Sequence, residues 1–254
     1  MDKAVVGGQA AARLWELATL RVEKQVVCHL PDGGIPSSPK TWPEGVIYRY
    51  GRLDTGDIRE YHGIRVTSLM RLLLDIAHYE GLHAAVVVID SARRKYPELT
   101  EGELHRRLGA YRRYRGLRVL RRAIELSVPN SDSAQETRAR LILHEANLPG
   151  IRSIQPQVRF NRDRGGRFYV VDFLINGWII VEIDGRSKYK LTARRSWTML
   201  SWRNVNGRSS SPTKAMWFCV LSRSNWMERN QNFSDYSEKP WRPEHQRISG
   251  RWPE

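Results

Sequence analysis

The chain has 254 residues, 41% of them hydrophobic, enough for one large or two modest domains with a real core. Its formal net charge of +15 points to a polyanionic partner, because clustered Lys and Arg gain affinity by releasing counterions from phosphate. No stretch approaches a membrane-spanning helix, Ala4-Val5-Val6 is too short for a signal-peptide core, and Cys28 and Cys219 give neither a disulfide framework nor a CxxC zinc pattern, so a reducing cytoplasm is the expected setting.

In chain order, GQAAARLWELATL predicts a helix over residues 8–20 with Leu14, Leu17 and Ala18 on one side. Short strands are expected at 26–30 and 46–50, separated by a Pro- and Gly-rich loop at 31–43. Thr67 is the expected N-cap of a helix carrying Leu69, Leu72, Leu73 and Ile76. Thr100-Glu101-Gly102-Glu103 spells a capping box opening a helix with Leu104 and Leu108, since Thr100 and Glu103 can satisfy each other's orphan backbone donors. Arg106, Arg107, Arg112, Arg113, Arg115, Arg118, Arg121 and Arg122 come after it, with Tyr111 and Tyr114 interleaved. This run reads either as a phosphate-tracking surface, its tyrosines available to stack on exposed bases, or as a solvated helix face.

Ser133 and Glu136 spell a second capping box, and its helix runs through Leu141, Ile142 and Leu143 to a stop at Asn147-Leu148-Pro149-Gly150. A strand at 155–160 and a basic turn at 161–167 come next, with Gln157 a polar neighbour of the candidate site. The stretch FYVVDFLINGWIIVEIDGRSKY then reads as two apolar strands around a tight turn, carrying Asp172, Glu182 and Asp184. Carboxylates do not belong in buried strands without compensation, and a bound cation is the simplest one. A two-residue Asn176-Gly177 loop would put Glu182 on the opposite face from Asp172. A three-residue loop Ile175-Asn176-Gly177, with Gly177 left-handed, places Asp172, Glu182 and Asp184 on one face, and this register is the expected one. The resulting hard oxygen donors suit Mg²⁺ or Mn²⁺. The plainer reading makes Asp184-Gly185 a turn and Asp172 a satisfied strand-end charge.

The order Ser131-Asp132-Ser133-Ala134-Gln135-Glu136, Gln155-Pro156-Gln157-Val158, Val171-Asp172-Phe173 and Val181-Glu182-Ile183-Asp184-Gly185 with Lys188-Tyr189 resembles actinobacterial endonuclease-domain proteins, relatives of the very short patch repair endonuclease in the PD-(D/E)XK superfamily. The resemblance covers about 131–190 and implies a Mg²⁺-dependent phosphodiesterase fold. Asp172 and Glu182 match the family's metal carboxylates and Glu136 its first-helix acid. The third signature position, usually Lys, is Asp184 here, as in the short-patch-repair-like branch; Lys188 is the candidate for the missing positive charge. The segment Gly63-Ile64-Arg65-Val66-Thr67-Ser68 with the RLLLDIA after it resembles the region before the nuclease domain in the same proteins, and the C-terminal part of AbiEi-type antitoxins. Both groups often begin with a winged helix, for which there is no room before Gly8.

The expected class is α/β in the broad sense (α+β). A mixed α/β domain occupies 1–128, a restriction-endonuclease-like mixed sheet flanked by helices 129–191, and an irregular tail 192–254. The tail holds six of the nine tryptophans and no sustained apolar period. Reading permitted synonymous codons of 193–223 from their third base can give TEILDNAVLAERERQELLTNKGYVVLR, an amphipathic helix, a Lys-Gly stop and a strand. A frameshift near Thr192 would then have replaced the end of the nuclease domain and could leave it inactive; a genuine basic, Trp-rich tail contacting nucleic acid is the alternative.

In the expected chemistry Asp172 and Glu182 hold Mg²⁺ against the scissile phosphate, Asp184 orients or helps deprotonate the attacking water, and Lys188 offsets charge on phosphorus. Glu136 has two readings, helix cap or first-helix acid. DNA is the expected partner through Arg112, Arg113, Arg115, Arg118, Arg121 and Arg122, with RNA left open because backbone charge does not separate the two. The reading from a different class is a non-catalytic DNA-binding regulator of antitoxin type.

Overall fold

The computed structural model describes residues 3–161, 168–184, 197–201 and 215–222. The first sheet is built from β1 (Val5–Gly7), β2 (Val26–His29), β3 (Val46–Tyr48), β4 (Ile58–Tyr61) and β5 (Ile64–Thr67), in the order β3-β2-β1-β5-β4. It is mixed: β1 runs antiparallel to β2 and parallel to β5, while β4 and β5 form a hairpin turned by His62 and Gly63, both at positive φ. Three-residue β1 is too short for a period-two pattern to announce it, yet it is the central strand.

The helices of this half are α1 (Gly8–Leu14), α2 (Leu69–Tyr79), α3 (Leu82–Lys95), α4 (Glu101–Leu108) and α5 (Leu117–Leu126). On α2, Leu72, Leu73, Leu74 and Ile76 are all buried, and on α3 the run Ala84 to Ile89 is too. Helices apolar on nearly every side belong in an interior, and α2 and α3 form the centre of the main core, which α1, α4 and α5 cover. Gly116, which caps α5 at φ +86, cannot be replaced cheaply: a Cβ there would stand 2.9 Å from the His78 backbone nitrogen.

Two boundaries differ from expectation. The first helix ends at Leu14 rather than 20, because Trp15 Nε1 donates to the Thr67 carbonyl at 3.0 Å, Glu16 turns left-handed and the Ala18 amide is taken by Ser91 Oγ at 2.9 Å. The cap of α2 is Ser68, whose Oγ accepts from the Arg71 amide at 3.4 Å; Thr67 is wholly buried at the end of β5.

The second sheet starts after α6 (Ala134–Glu145) and comprises β6 (Ile154–Asn161), β7 (Phe168–Ile175), β8 (Ile179–Asp184), β9 (Trp197–Ser201) and β10 (Ala215–Ser222), in the order β6-β7-β8-β10-β9. The run β6-β7-β8 is an antiparallel meander, and β10 lies parallel to β8. Helix α6 is a shared wall: Leu141 joins the main core while Ala139 packs with Phe173, Ile175 and Val181 of the second. The fold is therefore mixed α and β. Apart from β9 and β10, the tail beyond 191 and the basic turn at 162–167 lie outside the described residues. No helix among the described residues is long and apolar enough to cross a membrane.

Candidate active site

The β7–β8 turn decides which carboxylates meet. The pairs are Phe173 with Val181, Leu174 with Ile180 and Ile175 with Ile179, so the loop is Asn176-Gly177-Trp178, one residue later than expected. The reason lies in Asn176. Its Oδ1 accepts from the amides of Arg152 and Ser153 at 2.7 and 3.1 Å, its Nδ2 donates to the Gly150 carbonyl at 2.6 Å, and its backbone takes φ +53, ahead of Gly177 at φ +76. Asparagine tolerates the left-handed region better than other side chains, and anchoring it here fixes the turn. Two shifted positions cancel in parity, so Asp172 and Glu182 still share a face.

At these residues the ladder ends. One step beyond Phe173–Val181 the carboxylate of Asp172 takes over, its Oδ2 accepting from the Ile183 amide at 2.6 Å. On the other side Gln157 stands opposite Asp172, between the pairs Pro156–Phe173 and Val158–Val171, with φ +53 in mid-strand. A left-handed glutamine inside a strand is strained, and such strain clusters where a side chain must be aimed. Here the Gln157 amide is aimed at α6: Nε2 donates to Glu136 Oε2 at 2.7 Å.

Glu136 is tied to the start of its own helix and feels the charge of Asp172. Ser133 Oγ accepts from the Glu136 amide at 3.2 Å and donates to its Oε1 at 2.8 Å, while the Asp132 amide donates to Oε2 at 3.0 Å. The carboxylate is buried, and burial raises its pKa, with the charge of Asp172 adding to the rise. Half-burial likewise raises Asp172, against the lowering hydrogen bond from Ile183. Glu182 is pushed up to about 7, first by burial and then by the charge of Asp172, with Glu136 a smaller repulsive neighbour. Three carboxylates from α6, β7 and β8 thus repel one another in a half-buried notch where β7 and β8 part. Burial combined with like charge is what shifts clustered carboxyl groups towards proton or metal chemistry.

Hard oxygen donors that resist being charged together fit a divalent cation. Among the described residues no three His, Cys, Asp or Glu side chains form a ready metal cage. Mg²⁺ needs none, since it commonly takes one or two carboxylates and completes its shell with water and phosphate. Lys188 and the side chain of Asp184 lie outside the described residues; the backbone of Asp184 closes β8 two positions beyond Glu182.

The basic run divides by environment. Arg106 and Arg107 are paired to Glu103 at 2.7 and 2.6 Å, which holds that carboxyl at about 2, through hydrogen bonds to the two guanidiniums. Glu103 is therefore committed to arginines, and the only capping-box contact with Thr100 among the described residues is its own amide to Thr100 Oγ1, 3.2 Å. Arg112, Arg113, Arg115, Arg118, Arg121 and Arg122 are all exposed, and of these Arg122 alone makes an ion pair among the described residues, with Glu125 at 3.0 Å. The two tyrosines contradict the stacking expectation. Tyr111 donates from its hydroxyl to buried Asp57 at 2.7 Å, the two rings meet edge-on at 5.1 Å, and Arg71 sits over the Tyr114 ring at 5.2 Å. Burial raises the Tyr111 pKa strongly and Asp57 adds to it, so this phenol is a fixed internal donor.

Sequence reasoning missed Asp90, whose signal was an acid directly after the apolar run Ala84 to Ile89, and the Arg71–Asp75 pair, four apart on an apolar helix. Comparison with protein-family models, curated proteins and solved structures finds no match to this chain.

Proposed function

We propose that the protein is a Mg²⁺-dependent endonuclease acting on DNA phosphodiesters. The observation that carries this reading is the convergence of Glu136, Asp172 and Glu182 where two strands part, with Glu182 pushed up to about 7. Asp172 and Glu182 would hold the cation, which when bound supplies positive charge against a scissile phosphate and favours deprotonation of the attacking water. Asp172, fixed by the Ile183 amide, presents its remaining oxygen without reorganisation. Glu136, held by Ser133, Asp132 and Gln157, adds a third negative charge that favours cation over proton in the notch. Asp184 and Lys188 keep the roles of water orientation and charge compensation in this proposal. Replacement of the domain's end by a frameshift would weaken or abolish activity.

The test is nicking of supercoiled plasmid by the full chain. Nicking is expected in Mg²⁺ and absent in EDTA. Glu182 holds a proton below about 7 and is a carboxylate above it, so the rate at subsaturating Mg²⁺ should rise up to about tenfold per pH unit below that point and level off above it. No Mg²⁺-dependent nicking at any pH together with no Mn²⁺ binding through Asp172 removes the proposal. Matched single-stranded DNA and RNA substrates identify the preferred polymer.

A second reading, a non-catalytic DNA-binding regulator of antitoxin type, is favoured by one observation: exposed Arg112, Arg113, Arg115, Arg118 and Arg121 make no ion pair among the described residues. Replacing Arg118 and Arg121 by alanine should flatten the slope of log affinity against log salt by roughly 0.9 per lost phosphate contact, measured by fluorescence anisotropy on duplex DNA. An unchanged slope takes α5 out of the interface under either reading.

A further inference from the structure

The α6 helix that carries Glu136 is not held by its own sheet alone. Asp90, in the middle of α3, is 1% exposed and directs both oxygens at the segment leading into and along α6. Its Oδ1 accepts from the Val128 amide at 2.7 Å; its Oδ2 accepts from Thr137 Oγ1 and from Arg140 Nη2, both at 2.8 Å. Thr137 is the next residue after Glu136, and its hydroxyl also meets Ser131 Oγ at 2.8 Å, at the turn whose next residues, Asp132 and Ser133, bind the Glu136 carboxylate. Arg140, one turn along, donates onward to the Leu126 carbonyl at 2.7 Å. Burial raises the Asp90 carboxyl, and Arg140 and the Val128 amide counter it.

We propose that Asp90, a residue of the first half of the chain, is a positioning residue for the carboxylate notch: it fixes the first turn of α6 so that Glu136 faces Asp172 and Glu182. This rests on the nuclease reading. The helices of the first half are then part of the site's frame, and without them the third carboxylate, Glu136 on α6, is not held in position beside Asp172 and Glu182. Outer partners that orient metal-binding groups typically matter by 10- to 100-fold in metal affinity, and about tenfold is expected here because Glu136 keeps its Gln157 and Ser133 bonds.

The test uses the full chain with D90N, which keeps size and loses charge, and T137V, which keeps shape and loses only the hydroxyl. H83A is the control: it removes the exposed His83–Glu145 tie between the same two helices, at the far end of α6. Amide exchange is followed in the metal-free protein, and Mn²⁺ binding by electron paramagnetic resonance. D90N and T137V should exchange faster at Glu136 and Thr137 and bind Mn²⁺ about tenfold more weakly, with H83A like wild type in both. Merely structural residues would lower the melting temperature and leave Mn²⁺ affinity of the folded protein unchanged. Wild-type affinity in D90N and T137V, or loss in all three variants alike, overturns the inference alone. Failure of wild type to bind Mn²⁺ through Asp172 overturns the nuclease reading and this inference with it. T137V decides the matter where D90N does not fold.

Discussion

Asp172→Ala is expected to lower Mg²⁺-dependent nicking by about 10²–10³-fold or more, the scale of removing one fixed electrostatic element from a water-poor centre. The residue contributes twice. One carboxylate oxygen replaces the strand partner of the Ile183 amide at 2.6 Å, and its charge adds to the burial that pushes Glu182 up to about 7. Alanine removes both, so it loses a structural tie along with the charge. Asp172→Asn separates them, because its amide oxygen can still accept from Ile183 while the negative charge is gone. The asparagine variant should melt close to wild type and still lose nicking, with Glu182 titrating nearer its ordinary value once its charged neighbour is neutral. Plasmid nicking beside a thermal melt checks this, and an asparagine variant that nicks at the wild-type rate would sink the proposed chemistry.

Arg71→Ala is expected to cost about 3–5 kcal/mol, the scale of breaking a buried ion pair from one side. Arg71 is 2% exposed and its Nε reaches both oxygens of Asp75 at 3.1 and 3.2 Å. Its Nη1 donates to the Arg52 carbonyl at 2.7 Å and stands 3.7 Å from Asp57, whose other oxygen accepts from Tyr111. His29, wholly buried on β2, stands 3.2 Å from Asp75. Removing the guanidinium strands two carboxylates in the interior between the first sheet and α2. With domains commonly stable by only about 5–15 kcal/mol, such a loss is a large fraction of the whole. Urea unfolding of Arg71→Ala against wild type measures it, and a double variant with Asp75→Ala should recover part of the loss, since the stranded charge goes too.

The leucine-rich helix α2 was legible in the sequence because its apolar run leaves it one place to go, whereas the valine-rich α3, Leu82–Lys95, was not read. The hairpin carrying Asp172 and Glu182 was legible for the same reason, down to the shared face. Its turn was not, because the loop is set by Asn176 bonding to Gly150, Arg152 and Ser153, more than twenty residues away, and no local pattern records that. Tyr111 and Tyr114 were misread because a tyrosine between arginines looks solvent-directed until a buried partner is found, and Asp57 lies 54 positions earlier. The tie between Ser133 and Glu136 was legible because it is local, three residues apart. Asp90 escaped notice because its partners, Val128, Thr137 and Arg140, lie 38 to 50 residues further along the chain.

The central place of β1 bears on how the chain acquires its fold. Val6 pairs with Cys28 on one side and with Val66 on the other, so the middle strand of the first sheet is made early and waits for its parallel partner until some sixty residues more have been synthesised. The β1–β2 pair can form first but is a lone ribbon, marginal in water without a third strand or a covering helix. Closure of the long loop to β5 opposes the remaining pairing entropically, and non-local parallel contacts are slow to form. The hairpin of β4 and β5, with α2 directly behind it, is the local unit able to assemble quickly and receive β1, which makes Ile64–Thr67 the seam along which the first half of the molecule is joined.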